Sequence, residues 1–279
     1  MNDPHPHRAP AWLQDLAGAW VFYSVLPAWP GIEPRFVRIA RFAPWIGLVL
    51  GGLQGLLWWL TSGWLPPLAQ ISLVIALGLW LSGGLHADGV IDTADGLAAG
   101  SRALEAMDDS RAGAAGVQAL VVLLLLRAAG LAALAAAAGP ALVAWALLLA
   151  SIWGRISPLV AMARFPYLRP GGTAGFHRQG LQRLRRELLP ALALLVLLAV
   201  VPLLWSVSAG KSAAAVLPWL APVLLPVLPA VWVPWWLGRR LGGHSGDTYG
   251  ACVEWSETLG LLLSGVVISA LVAHLLPAG

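Results

Sequence analysis

The sequence predicts an all-α, polytopic integral membrane bundle of about seven transmembrane helices plus an N-terminal interfacial or re-entrant helix, with the N-terminus in the cytoplasm. Three observations carry this expectation. The chain is 59% hydrophobic and only 11% charged, with mean hydropathy +0.77, whereas soluble domains carry about 25% charged residues. Apolar runs of about 20 residues, the length that crosses a bilayer, recur from end to end. Lysine and arginine are also distributed very unevenly between those runs. The whole chain, 1–279, reads as one domain.

The elements follow in order. Residues 1–10 are polar and rich in Pro and His, without the basic stretch and short apolar core of a cleaved signal peptide. Segment 11–29 is short, interrupted by Gln14 and Asp15 and rich in Trp, which suits an interfacial or re-entrant helix. Spans are expected at 42–62, 66–85, 114–138, 140–163, 188–208, 213–237 and 256–276. Trp58, Trp59, Trp219, Trp232, Trp235 and Trp236 fall near span ends, where aromatic belts form. The 213–237 span contains Pro218, Pro222, Pro226, Pro229 and Pro234, so it should be kinked or broken. The Ala-rich run 132–138 reads as close helix packing.

Of the 17 basic residues, Arg127 and Arg155 lie inside spans, 14 lie on one set of alternate loops, and Lys211 alone lies on the other. By the positive-inside rule the basic loops and the N-terminus are cytoplasmic. The same loops account for the net charge of +4 without any nucleic-acid partner. The single Cys252 excludes an intrachain disulfide and a cysteine-based metal cage.

Every unusual polar motif falls on the cytoplasmic side. Asp88, Asp92 and Asp95 are three of only 13 acidic residues, packed within eight positions beside an apolar run. On a helix they form one stripe within an arc of roughly 60°. Like charges so placed require a cation, and hard oxygen ligands one turn apart suit Mg²⁺ completed by water and phosphate oxygens. Gly89 and Gly96 make a bare stripe alongside. Arg169-Pro170-Gly171-Gly172-Thr173-Ala174-Gly175-Phe176-His177-Arg178 has the composition of an anion cradle or of an ordinary basic loop. In a third stretch, Gly242 to Glu254, Asp247 and Glu254 are again seven apart and suggest a second acidic face sharing the first site. Arg127, near mid-span, and Arg155, nearer the cytoplasm, should each pair with a carboxylate, a carbonyl or a substrate phosphate. For Arg155 a place in the site is favoured. His86 suits a ligand, a donor to substrate or a helix-entry residue; His274 lies near the opposite face.

Four motifs together resemble the membrane-bound cobalamin synthase family. They are Arg41-Phe42-x-Pro44-x-Ile46-Gly47, Gly83-Gly84-Leu85-His86-Ala87-Asp88-Gly89-x-x-Asp92-x-x-Asp95-Gly96, Met107-x-Asp109-Ser110-Arg111-x-Gly113 and Gly242-Gly243-x-x-Gly246-Asp247-Thr248-x-Gly250. The resemblance implies a transferase of the cell inner membrane that joins adenosylcobinamide-GDP to α-ribazole or its 5′-phosphate and expels GMP. It implies Mg²⁺ on Asp88, Asp92, Asp95 and Asp109, with Asp88, Asp247, Arg111 and Arg155 acting on the reacting groups. His86, Gly89, Gly96, Ser110, Gly243, Gly246, Thr248 and Arg178 would contact substrate. Homo-oligomers, or association with other cobalamin-assembly enzymes, stay open. The rival readings are a CDP-alcohol phosphotransferase, whose later acidic half is missing here, an aromatic prenyltransferase, and a cation transporter with mid-membrane carboxylates.

Overall fold

The computed structural model describes residues 9–169, 183–210 and 213–275. Eleven α-helices are described: α1 Ala11–Tyr23, α2 Ala43–Thr61, α3 Pro67–Leu81, α4 Leu85–Ala99, α5 Ala103–Met107, α6 Ala114–Ala137, α7 Pro140–Arg164, α8 Leu184–Ser208, α9 Leu217–Leu224, α10 Val227–Leu241 and α11 Gly246–Leu275. Among the described residues there is no strand, only an isolated parallel bridge between Tyr167 and His244. Six segments are long and apolar enough to cross a membrane: Ile39–Thr61, Ala114–Ala137, Pro140–Arg164, Leu184–Ser206, Leu217–Leu241 and Gly246–His274. Pro67–Leu81 joins them as a seventh only together with Leu85–Met107, from which it is bent by 90°.

That bend sets up the rest of the molecule. Gly83 and Gly84 have φ of +62° and +72°, a conformation that residues with a Cβ rarely adopt. Two such residues in succession let α4 leave the axis of α3 at a right angle. The simple span expected at 66–85 is therefore cut short at Leu81, because hydropathy carries no sign of a turn made by two glycines.

α7 is the buried centre of the bundle, flanked by α2 and α11. α2 approaches it through Gly47, Gly51 and Gly55, one turn apart. A Cβ on Gly51 would come within 2.8 Å of Leu148 Cα, and one on Gly55 within 2.8 Å of Ala144 O. Removing side chains at this spacing lets backbones meet where lipid provides no hydrophobic drive between helices. The motif was legible in the sequence, yet only the 132–138 alanines were read as close packing. Gly130 and Gly265 perform the same service between α6 and α11, the added Cβ of Gly265 falling 2.7 Å from Gly130 O.

The proline-rich span, expected to be kinked or broken, runs on as one segment, Leu217–Leu241, interrupted by a turn at 225–226 between α9 and α10. The last span begins ten residues earlier than expected, at Gly246, so Asp247 is in its first turn. α1 has 13 residues, roughly 20 Å of helix against the 30 Å of a bilayer core. Its buried Asp15 receives Arg35 Nε at 2.7 Å, and its apolar face packs with Ile39, Ile46 and Leu81. Arg38 binds Glu187 at 2.6 Å, with Arg41 3.7 Å away, tying the basic N-terminal arm to α8. α8 turns Leu192, Val196, Leu197 and Leu204 outward, an apolar exterior that a bilayer would cover.

Candidate functional site

Five segments enclose one cavity of about 150 Å³. α1 contributes Phe22 and Tyr23, the entry to α2 Ala40 and Ala43, and α4 Leu85, His86, Asp88 and Gly89. α7 contributes Arg155, Pro158, Leu159 and Met162, and α11 Gly246, Asp247, Tyr249, Gly250 and Val253. The wall is mainly apolar, with carboxylates from α4 and α11 and a cation from α7.

Glycines set the spacing of α4 and α11. A Cβ on Gly89 would collide with the carbonyl oxygen of Asp247, and one on Gly250 would lie 3.2 Å from His86 Cα. This is the bare stripe expected beside the acids, and another helix occupies it. Gly96 also faces protein, its virtual Cβ falling 2.8 Å from Met107 Cγ. Close crossing at Gly89 and Gly250 brings Asp88 and Asp247, 159 positions apart in the chain, to one cavity.

The turn before α11 is rigid. Ser245 N–H donates to Thr248 Oγ1 at 2.8 Å, and Ser245 Oγ donates to Asp247 Oδ2 at 3.1 Å. His244 Nε2 lies 3.0 Å from the Pro234 carbonyl and Nδ1 3.0 Å from Thr248 Oγ1. Burial pushes the His244 imidazole down to about 4, so it stays neutral. Thr248 thus builds the turn rather than lining the cavity. Gly243 packs under Pro166 and Leu168, while Gly246 reaches the cavity wall.

The acids at the mouth outnumber their cations. Asp92 lies in the combined field of Asp88, Asp247 and Asp95, opposed by Arg169. Arg169 lies 3.0 Å from Asp108 Oδ1 and 3.3 Å from Asp247 Oδ2. Among the described residues no three His, Cys, Asp or Glu side chains converge to enclose a metal by themselves. Mg²⁺ ordinarily takes one or two carboxylates and completes its shell with water and phosphate. The surplus charge and all-oxygen chemistry of Asp88, Asp92 and Asp247 fit such an ion.

Other expected members are placed elsewhere. Asp95 accepts Gly113 N–H at 2.7 Å and Gly116 N–H at 2.8 Å, capping the start of α6. Its carboxylate fills the space that side chains at 113 and 116 would need. Asp109 and Arg111 hold one another, Arg111 Nη2 donating to Asp109 Oδ2 at 2.7 Å. Arg111 is exposed, and its hydrogen bonds bring the Asp109 carboxyl down to about 2. Ser110 is exposed in the same turn. None of these three lines the cavity, because the turn is closed by its own ion pair. Arg178 lies outside the described residues, as does the Gly-rich loop from Pro170 onward.

Deeper in the bundle, Arg127 Nη2 meets Glu254 Oε2 at 2.9 Å, and its Nε donates to Thr258 at 2.9 Å. Arg155 Nη1 donates to Ser151 Oγ at 2.6 Å and lies 3.5 Å from Glu257. Both arginines therefore found carboxylates. The sequence reading missed Glu257, although an acid inside an apolar span is itself a signal that a cation lies opposite. At the cavity, Arg155 Nε and His86 Nδ1 are buried without hydrogen-bond partners.

Comparison with known proteins bears on this geometry. A family model described as cobalamin-5-phosphate synthase matches residues 15–265. The chain is 59% identical over 268 residues to an adenosylcobinamide-GDP ribazoletransferase of Prochlorococcus marinus strain MIT 9303, covering 94% of this chain and 99% of that one. It is 42% identical to the protein of the same name in P. marinus strain SARG, with the same coverage. With that of Thermosynechococcus vestitus it shares 41% identity, over 92% of this chain and 98% of the relative. No solved structure matches.

Proposed function

The chain belongs to the cobalamin-5-phosphate synthase family, and we propose that its cavity joins adenosylcobinamide-GDP to α-ribazole or its 5′-phosphate, releasing GMP, on the cytoplasmic side of the inner membrane. The observation that carries this reading is a single cavity lined by Asp88 and Asp247 from distant helices and by Arg155. The bias of basic residues supports its orientation.

In the reaction, the acceptor hydroxyl oxygen bonds to the phosphorus that carries the cobinamide arm. The bridging P–O bond to GMP breaks, and GMP leaves with the electron pair. Such transfers ask a protein chiefly to position reactants and to offset developing charge. Mg²⁺ held by Asp92 and one of Asp88 and Asp247 would neutralise the diphosphate and the departing phosphate. Whichever of Asp88 and Asp247 is left free accepts the hydroxyl proton. Arg155 Nε and His86 Nδ1 are the buried polar atoms left for the part of the substrate that enters. At about 150 Å³ the cavity holds a group the size of a single small ring and is far too small for a corrin, so the macrocycle stays at the mouth. Asp88→Asn, Asp92→Asn and Asp247→Asn, assayed singly for GMP release at saturating Mg²⁺, test this. Losses of about a hundredfold or more are expected at Asp88 and Asp247; near-normal rates in all three would reject the site.

A further inference from the structure

We propose that Arg169 binds the substrate diphosphate, and that it becomes free to do so by leaving Asp247 when a divalent ion arrives. The inference rests on reading the cavity as the diphosphate site, and it gives a task to a residue outside the four motifs.

Arg169 is firmly positioned. Leu168 N–H donates to the His244 carbonyl at 2.8 Å, and His244 N–H donates to the Pro166 carbonyl at 2.9 Å. This clamps the chain just before Arg169 against the turn just before Asp247. The guanidinium then reaches across two further motifs, to Asp108 at 3.0 Å and Asp247 at 3.3 Å. It is the cation whose field acts on both Asp92 and Asp247.

Its hydrogen bonds, however, are unmade. Nε and Nη2 are excluded from solvent and neither has a hydrogen-bond partner; the approach of Nη2 to Asp247 neutralises charge without the geometry of a bond. Buried charged donors left this way are costly. The two idle atoms share one edge of the guanidinium, the edge that offers two parallel N–H groups to two oxygens of one phosphate. Deeper in the bundle Arg127 and Arg155 each make hydrogen bonds besides their ion pairs, although Arg155 also keeps its Nε without a partner.

An exchange of partners accounts for both facts. In the ligand-free protein Arg169 offsets Asp247. A divalent ion takes over that carboxylate, and Arg169 turns its idle edge to the diphosphate. Arginine and metal thus compete for Asp247 but cooperate on the substrate.

The test measures the two halves separately on purified protein in nanodiscs. Mn²⁺ binding is followed by electron paramagnetic resonance, and GDP binding by equilibrium dialysis with and without Mn²⁺. Arg169→Ala should bind Mn²⁺ several-fold more tightly in the absence of nucleotide, because Asp247 is relieved of its competitor. The same variant should bind GDP about ten- to a hundredfold more weakly, the loss of a charged pair of hydrogen bonds. Arg169→Lys keeps the charge but not the edge, so it should leave Mn²⁺ binding near wild type and still weaken GDP. Opposite shifts in one variant also exclude simple misfolding. Unchanged GDP binding, or parallel loss of both ligands, overturns the proposal. If the wild type binds no Mn²⁺, the metal reading of the site and the exchange fall together, and the metal-free GDP measurement decides whether Arg169 holds phosphate at all.

Discussion

On α11, Asp247 and Glu254 stand seven residues apart on one face, roughly 10 Å along the axis. The deeper residue belongs to a closed account: Glu254 meets Arg127 at 2.9 Å, and the neighbouring Glu257 lies 3.5 Å from Arg155. Each carboxylate faces one cation, in an interior where an unpaired charge would be expensive. The outer residue belongs to an open one, where Asp88, Asp92 and Asp247 are opposed by Arg169. The same side chains on the same helix are therefore structural in one layer and available in the other. What separates them is the local balance of charges, not the presence of acid.

The largest effect should come from crossing that boundary. Asp247→Asn is expected to lower GMP release about a thousandfold, equivalent to about 4 kcal/mol in the barrier, with little change in thermal midpoint. Glu254→Gln should do the reverse, lowering the midpoint while leaving the rate per folded molecule within a few-fold. Detergent-solubilised thermal melts and GMP assays on both variants check this; a large rate loss at Glu254 with an unchanged midpoint would merge the two layers into one site.

Parts of this arrangement were legible beforehand, for definable reasons. Hydropathy located the spans because each is a sum over about 20 residues. The stripe at Asp88, Asp92 and Asp95 was visible because helical spacing fixes which residues share a face. Its division of labour was not visible: Asp95 turns to the backbone of Gly113 and Gly116 on another helix, a partnership no local spacing encodes. Arg111 had the right residue type in a matching motif, yet a carboxylate two residues away captures it. Arg169 stood in a stretch already singled out, but its link to Asp247 depends on the Tyr167–His244 bridge, which joins segments 77 positions apart.

The inner layer gives the next effect. Arg127→Met leaves Glu254 without its nearest cation and should cost about 3 kcal/mol of stability, the scale for removing one partner of a buried pair. Replacing Arg127 and Glu254 together by Met should recover most of that loss, since the pair is self-contained. Failure of the double variant to recover would mean that the layer also supports the cavity above it, through Arg155.

Asp95 sharpens the boundary within α4 itself. If it serves as the cap of α6, Asp95→Ala should cost about 1–2 kcal/mol and leave the Mg²⁺ concentration for half-maximal activity unchanged. Asp92→Asn should instead raise that concentration with little change in stability. A metal requirement that rose in both variants would return Asp95 to the ion and make the cap secondary.

The smallest effect is expected outside both layers. Arg111 is largely exposed and bound to Asp109 within its own turn, and exposed pairs of this kind contribute little. Arg111→Ala should leave the thermal midpoint unchanged and GMP release within about twofold of wild type. Measured beside Arg169→Ala, it separates two arginines of similar sequence prominence by the acid each one holds. Asp109 belongs to a surface turn, whereas Asp247 lines the cavity. A hundredfold loss at Arg111 would mean that the turn of residues 108–113 opens its ion pair and closes over the mouth during turnover.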